Sequence, residues 1–145
     1  MNVLMLLKPK KDVAYIYETS TLRQALEKMR HHGYAAIPVL SEDGRYVGSI
    51  SEGDFLWYLV DEQCASSKDQ ERHYVKDIIR SDFSPAVRIN VTMDELLEKA
   101  MQQNFICVTD DSDSFIGIVT RRDIIRSMLK GTVKPQGGQA GGQAL

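Results

Sequence analysis

The sequence has few of the residues on which several classes of protein depend. Two cysteines occur in 145 residues, Cys64 and Cys107, and they stand far apart and outside any CxxC spacing. This usage disfavours a disulfide framework and a zinc site and fits a reducing compartment. His31 and His32 are adjacent, but no third ligand is spaced to help them, so we predict neither a bound metal nor another cofactor. A cytoplasmic location is the expectation.

Long apolar runs and one-sided charge are also missing. The apolar run at residues 3–7 is shorter than a signal-peptide core and far shorter than the roughly 20 residues of a membrane span. The net charge is −2, and Lys and Arg are spread along the chain, whereas contact with a phosphate backbone needs a clustered basic face. We therefore expect neither a membrane nor nucleic acid as a partner.

What the sequence does contain is a repeat. A shift of 71 residues aligns "TLRQALEKMRHHGYAAI" (residues 21–37) with "TMDELLEKAMQQNFICV" (residues 92–108). Each segment opens with a predicted capping box, Thr21 with Gln24 and Thr92 with Glu95. Apolar residues then recur at i, i+3, i+4 and i+7, which predicts a helix with one buried face. Gly33 and Asn104, residues that tolerate positive φ, are predicted to end the two helices.

The segments around each helix repeat as well. A short extended run, "VAYIY" or "AVRIN", precedes the helix, and two strands joined by a polar turn follow it. A closing helix is predicted from Asp54 to about Val60, and from Asp123 to about Leu129. The predicted boundaries are residues 1–60 for the first copy, 61–73 for a linker, 74–130 for the second copy and 131–145 for a flexible tail. "VLMLLKPKKD" and "YVKDII" are predicted to lead into the two copies.

Each copy is too small to bury a robust core alone. We therefore predict an α+β fold in which two tandem β-α-β-β-α repeats pack about a pseudo-twofold axis. Two related clefts would then lie between the repeats.

The end of each copy carries a second repeated pattern. "YVGSISEGD" and "FIGIVTRRD" both read aromatic, apolar, Gly, two apolar or small residues, Ser or Thr, two variable residues and Asp. With "GYAAIPVL" upstream, this pattern resembles the cystathionine β-synthase (CBS) domain, and two such domains resemble a Bateman module over residues 3–130. The layout is similar to small two-CBS proteins of Gram-positive bacteria that bind cyclic di-AMP.

The resemblance implies that adenine nucleotides occupy the clefts. In the family, the Asp accepts from ribose hydroxyls, the Ser or Thr and neighbouring cations meet phosphate, and backbone groups read the base. Carried over to this chain, the first cleft combines the second copy's motif with the first copy's strands: Val13, Ala14, Tyr15, Ala35, Ala36, Ile37, Pro38, Ile118, Thr120, Arg121, Arg122 and Asp123. The second cleft reverses the roles: Ser51, Asp54, Val87, Arg88, Phe105, Ile106 and Cys107.

The two motifs differ in their variable pair. Arg121 and Arg122 stand immediately before a predicted helix, where an Arg fork can bind a phosphate, while Glu52 and Gly53 hold the same places in the first copy. The first cleft is therefore the favoured phosphate site. Ser-x-x-Asp and Thr-x-x-Asp are also ordinary helix-start signals. The small residues Ala35 and Ala36 fit packing against a helix as well as they fit close approach of a base.

The function predicted from these patterns is a regulatory module without catalytic residues. It would sense an adenine nucleotide such as AMP, ADP, ATP or cyclic di-AMP and modulate a partner enzyme. Apolar residues of the two closing helices, from Phe55 to Leu59 and from Ile124 to Leu129, predict a homodimer. Two alternatives remain open: a purely structural dimerisation module without a ligand, and a nucleotide-processing enzyme.

Overall fold

The order strand, helix, strand, strand, helix occurs twice along the chain, with a strand near the start and a short helix between the copies as additions to it. The computed structural model describes residues 2–63, 66–80 and 84–132. The first copy contains β1 (Lys8–Pro9), β2 (Ile16–Tyr17), α1 (Leu22–His32), β3 (Ala36–Leu40), β4 (Tyr46–Ser51) and α2 (Glu52–Asp61). After the short helix α3 (Ser67–Gln70) come β5 (Val87–Arg88), α4 (Met93–Ala100), β6 (Phe105–Thr109), β7 (Phe115–Thr120) and α5 (Arg121–Thr132). This order confirms the predicted tandem fold, while residues 133–145 of the predicted tail lie outside the described residues.

Helix α1 has the predicted ends. The amide of Gln24 donates to Thr21 Oγ1 (3.1 Å), and the amide of Thr21 donates to Gln24 Oε1 (2.9 Å), so the capping box is confirmed. The helix ends at Gly33 with φ of 70°, a left-handed conformation that glycine adopts without steric cost.

Helix α4 begins as predicted but ends differently. Thr92 Oγ1 accepts from the amide of Glu95 (3.2 Å), which is one of the two bonds of a capping box. The helix ends at Ala100, and the predicted left-handed end at Asn104 is wrong, since Asn104 has no positive φ. Amides of residues 101–103 turn back onto carbonyls of residues 97–99, so the last carbonyls are satisfied without a left-handed residue.

The closing helices start two residues earlier than predicted, at Glu52 and Arg121. Both helices follow their strand without a loop. Ser51 and Thr120 are each the last residue of a strand and stand directly before the first helical residue. Their side-chain oxygens accept from the amides of Asp54 (3.3 Å) and Asp123 (3.1 Å), respectively. The hydroxyl therefore supplies the N-terminal cap that lets strand and helix join directly.

Two small sheets form the centre of the molecule. One has the strand order β2-β3-β4 and the other β1-β7-β6-β5. β2 runs parallel to β3, as β5 does to β6 in the second copy. β3 pairs antiparallel with β4, and β6 pairs antiparallel with β7. The exception is β1, which comes from the first copy but pairs with β7 of the second, Lys8 opposite Ile118.

The segment ahead of each copy packs on the other copy. Val3 is buried in the core of the second copy, and Val75 is buried in the core of the first. Gly117 permits this exchange, since a Cβ there would lie 2.2 Å from the carbonyl oxygen of Lys8. At Gly48, the corresponding glycine, a Cβ would lie 3.3 Å from the carbonyl oxygen of Arg80. The two copies are therefore interlocked rather than merely stacked.

The hairpin turns and the inner strands complete the contact between the copies. The amide of Phe115 donates to the carbonyl of Gly44 (2.9 Å), and the amide of Tyr46 donates to that of Asp113 (3.1 Å). A third apolar cluster mixes residues of both copies: Val13, Leu40, Phe105, Cys107, Phe115 and Ile118. This shared core fixes the clefts between the copies in place.

Candidate functional site

The two Ser/Thr-x-x-Asp motifs lie at corresponding places in the two sheets. Ser51 ends β4 opposite Ala36, and Thr120 ends β7 opposite Phe105. Each motif therefore lies beside the start of its copy's middle strand, at an edge where helix amides and a carboxylate come together. Such an edge can accept an anion on the amides and hydroxyl donors on the carboxylate.

Asp123 lines a wide groove at the motif of the second copy. We call it the N-terminal groove, because the start of the chain forms one wall and helix α5 forms the other. Its volume is about 740 Å³, within the range of roughly 300–1,000 Å³ that is typical of small-molecule sites. The lining residues are Met5, Leu6, Leu7, Lys8, Pro9, Asp123, Arg126, Ser127 and Lys130.

The N-terminal groove is rich in positive charge. Lys8 stands on one wall, Arg126 and Lys130 on the other, and Asp123 is the single acidic residue of the lining. None of these four groups belongs to an ion pair with any described residue. Apolar side chains from residues 5–7 and 9 share the lining, so the groove combines cations with a surface on which a base can pack.

Arg121 and Arg122, the predicted phosphate grip, do not appear among the residues that line this groove. Both are half-buried. The amide of Arg121 donates to the carbonyl of Asn104 (2.8 Å), and its Nε donates to the carbonyl of Ala100 (2.6 Å), which caps the end of α4. A phosphate contact by Arg121 and Arg122 stays a prediction.

Most of the other residues predicted for the first cleft are packed in the interior. Val13, Ala14, Ile37 and Ile118 are at most 8% exposed, and Pro38 is buried as well. Tyr34 Oη accepts from the amide of Ala14 (3.4 Å), and the half-buried Tyr15 ring lies 5.3 Å from Lys10 Nζ and 5.4 Å from Lys28 Nζ. These contacts give the side chains a structural role around the cleft.

A second, smaller cavity lies between the two copies. We call it the inter-repeat cavity; its volume is about 260 Å³. Its lining unites residues that the sequence assigned to different clefts: Ala35, Ala36, Ser49, Ser51, Ser84, Gln102, Gln103, Asn104 and Phe105. Ala35 and Ala36 thus line the same cavity as Ser51 of their own copy, and Thr120 is not among its lining residues.

Asp54, the acid of the first motif, is already engaged. Its Oδ2 accepts from the amide (2.9 Å) and the hydroxyl (3.0 Å) of Ser51, and Arg80 Nη2 lies 2.9 Å from its Oδ1. The Asp54 side chain is only 15% exposed. Both carboxylate oxygens therefore have partners within the protein.

Other residues predicted for the second cleft are directed elsewhere. Arg88 is exposed and pairs with Asp113 in the hairpin turn (3.0 Å), at the opposite end of β6 from the inter-repeat cavity. Val87 and Ile106 are buried in the core of the second copy. Of the predicted set, Ser51 and Phe105 line the cavity.

Cys107 is a buried thiol. It is 2% exposed, its Sγ lies 3.9 Å from Ser49 Oγ, and Ser49 is joined to Tyr46 Oη (2.8 Å). Burial raises the pKa of Cys107 to about 12 and, as the largest cause, raises the pKa of Tyr46 far above its ordinary value. The thiol is therefore neutral at physiological pH and suits packing rather than nucleophilic attack.

Four basic residues at these sites were missed by the sequence reasoning: Lys8, Arg80, Arg126 and Lys130. Two signals were available. Arg126 and Lys130 follow Asp123 at i+3 and i+7 and therefore share its face of a predicted helix. Lys8 and Arg80 each lie in the segment ahead of a copy. Only the exchange of those segments brings Lys8 into the groove of Asp123 and Arg80 into an ion pair with Asp54.

The fold and the paired motifs define a tandem of CBS domains. Residues 6–61 and 75–130 match the family model described as the CBS domain, and the chain belongs to this family.

Comparison with known proteins gives relatives of the same architecture. The chain is similar to cyclic di-AMP receptor B of Bacillus subtilis, 26% identical over 118 residues, with 81% of this chain and 80% of the relative covered. It is 27% identical over 134 residues to an uncharacterized protein of Methanocaldococcus jannaschii; 82% of this chain but only 46% of that relative's length is covered. A crystal structure of CbpB in complex with c-di-AMP matches with a TM-score of 0.81 at 22% identity and covers 90% of this chain and 85% of that one.

Two further features bear on the site. None of the helices in the described ranges combines the length and apolarity needed to cross a membrane. Within the same ranges, no group of three or more His, Cys, Asp or Glu side chains comes close enough together to hold a metal ion.

Proposed function

We propose that this chain is a cytoplasmic regulatory module without catalysis of its own, which binds an adenine nucleotide in the N-terminal groove. The observation that carries the proposal is the groove itself, which three cations and Asp123 line together with apolar residues. Phosphates suit the cations, ribose hydroxyls suit the carboxylate, and the apolar wall suits a base.

Cyclic di-AMP fits this groove better than a mononucleotide. It carries two phosphates and two bases, and the groove offers about 740 Å³ and cations on both walls. The similarity to a cyclic di-AMP receptor over 81% of the chain supports the same ligand. Bound nucleotide would join the start of the first copy to α5 of the second, and so favour the interlocked arrangement of the two copies.

This coupling is the basis of the proposed regulation. A ligand that bridges Lys8 and Asp123 binds only when the N-terminal segment is docked on β7, so its binding energy stabilises that docking. A partner enzyme that distinguishes the docked from the undocked form would then respond to the nucleotide. The exposed apolar residues of α2 and α5 further support a homodimer as the form in which the module acts.

Isothermal titration calorimetry with cyclic di-AMP, AMP and ATP tests the proposal. We expect micromolar or tighter binding of cyclic di-AMP and weaker binding of the other two. Because one charge-assisted hydrogen bond contributes roughly 1.5–3 kcal/mol, the double variant Lys8→Ala/Arg126→Ala should bind at least about a hundredfold more weakly.

The matched control is Arg72→Ala, which removes an exposed cation of the linker outside the groove. Its affinity should equal that of the wild type. Unchanged affinity in the Lys8/Arg126 double variant would remove the N-terminal groove as the site. Absence of binding by all three nucleotides would favour the structural-module alternative, and turnover of a nucleotide by pure protein would favour the enzyme.

A further inference from the structure

The two copies present a cation to their motif acid from corresponding positions. Lys8 and Arg80 occupy the segments that exchange between the copies, and their carbonyl oxygens approach Gly117 and Gly48, respectively. Each residue thus lies beside the strand that leads directly into the helix carrying the Asp of the motif. The pseudo-symmetry pairs Lys8 with Asp123 and Arg80 with Asp54.

The chemistry at these two corresponding places differs. Arg80 lies 2.9 Å from Asp54 Oδ1 in an ion pair, whereas Lys8 and Asp123 line an open groove and have no ion pair among the described residues. Ser51 donates to Asp54 Oδ2 through both its amide and its hydroxyl. Asp54 therefore meets a charged donor and two neutral ones, and an incoming hydroxyl would compete with them for the carboxylate.

The two motifs also differ in how their acid relates to open space. Asp123 lines a groove of about 740 Å³, within the usual range for small-molecule sites. Ser51 lines the inter-repeat cavity, of about 260 Å³, but Asp54 does not. The inter-repeat cavity therefore gives a ligand no access to the Asp54 carboxylate.

We infer that Arg80 holds the Asp54 carboxylate in place of a ligand and so restricts the chain to one nucleotide, bound in the N-terminal groove. The inference rests on the proposed function, since it assumes that the free carboxylate of Asp123 takes part in binding. Arg80 is then a specificity-determining residue: its guanidinium holds the carboxylate that a ribose hydroxyl would need. A nucleotide bound at Asp54 would replace the charge-assisted bond from Arg80 with a neutral bond from a ribose hydroxyl. This exchange weakens nucleotide binding at Asp54 by about tenfold to a hundredfold.

The test compares the number of ligands bound per chain in wild type and Arg80→Met. Met keeps an unbranched apolar stem and removes the charge, and the Arg80 side chain is 52% exposed, so folding should tolerate the change; thermal unfolding without ligand checks this. Cyclic di-AMP and AMP are titrated separately. We expect one site in the wild type and a second, weaker site in Arg80→Met with at least one of the two ligands.

The double variant Arg80→Met/Asp54→Asn is the matched control and should return to one site, because the freed carboxylate is then absent. An unchanged or lower number of sites in Arg80→Met with both ligands would overturn the inference, as would two sites in the wild type, and the proposed function would stand in either case. Failure of wild type and variants alike to bind either nucleotide would instead overturn the proposed function and this inference with it.

Discussion

At the scale of single residues, polar groups of the two motifs have structural roles. Ser51 and Thr120 end their strands and cap the helices that follow. Arg121, which the sequence assigns to phosphate, caps the carboxyl end of α4 through Ala100. A charged residue at a motif position is therefore no guide to ligand contact until its hydrogen-bond partners are known.

The buried thiol of Cys107 leads to a prediction about pH. Its pKa rises from an ordinary value of 9.0 to about 12 in the folded protein, so between these values the unfolded chain releases a proton that the folded chain keeps. The free energy of unfolding should then fall as the pH rises above about 9, by up to about 1.4 kcal/mol per pH unit. Urea unfolding at pH 8, 9 and 10 measures this slope.

Cys107→Val should flatten the slope, since Val has no proton to lose. Cys64→Ser is the control for the second thiol of the chain, and a wild-type slope is expected if Cys107 is the source. Equal slopes in wild type and Cys107→Val would show that burial does not hold the thiol neutral.

At the scale of elements, the docking of β1 on β7 decides whether the N-terminal groove exists. β1 has only two residues, too few for a stable strand on their own. Its position depends on pairing with β7 and on burial of Val3 in the core of the second copy. One wall of the groove is thus built by a strand that forms only through tertiary contacts.

Gly117→Ala tests this dependence. The added Cβ would lie 2.2 Å from the carbonyl oxygen of Lys8 and 3.0 Å from Leu7 Cδ1, so β1 must move away. We expect a loss of about 1–3 kcal/mol in the free energy of unfolding and weaker nucleotide binding.

The control is Gly53→Ala, an exposed glycine of α2 whose added Cβ would come no closer than 3.7 Å to its nearest neighbour. This variant should keep or gain stability, because Ala favours a helix more than Gly does. A Gly117→Ala protein with wild-type stability and affinity would contradict the role given to β1.

At the scale of the whole molecule, exposed apolar residues indicate a surface between two copies of the chain. Leu56, Trp57 and Val60 of α2 are 55–64% exposed, and Ile125, Met128 and Leu129 of α5 are 47–56% exposed. α2 and α5 are the last helices of the two copies. In a symmetric dimer, the apolar patches on both helices can be buried against the second chain.

Trp57→Glu should break such a dimer, since it introduces a charge at the centre of the apolar surface of α2. Sedimentation equilibrium should give twice the chain mass for the wild type and the mass of one chain for the variant. Met101→Glu is the control: Met101 is 82% exposed but lies at the end of α4. A monomeric wild type, or a dimer that survives Trp57→Glu, would contradict the proposed surface.

The sequence by itself determined the elements and their repetition. Helical spacing, the Thr21 capping box and the left-handed Gly33 are local features, and local interactions within a few residues decide them. The motif acids Asp54 and Asp123 were found in the same way, because their spacing from Ser51 and Thr120 is a property of the chain alone.

Only the tertiary structure decided which side chains meet across the clefts. The exchange of the leading segments places Lys8 in the groove of Asp123 and Arg80 on Asp54. In both cases the two residues lie far apart along the chain and come together only because each leading segment crosses to the other copy. Nothing in the local pattern encodes that crossing. It depends on where Val3 and Val75 find a core to fill, which is settled by burial of apolar surface in the assembled fold.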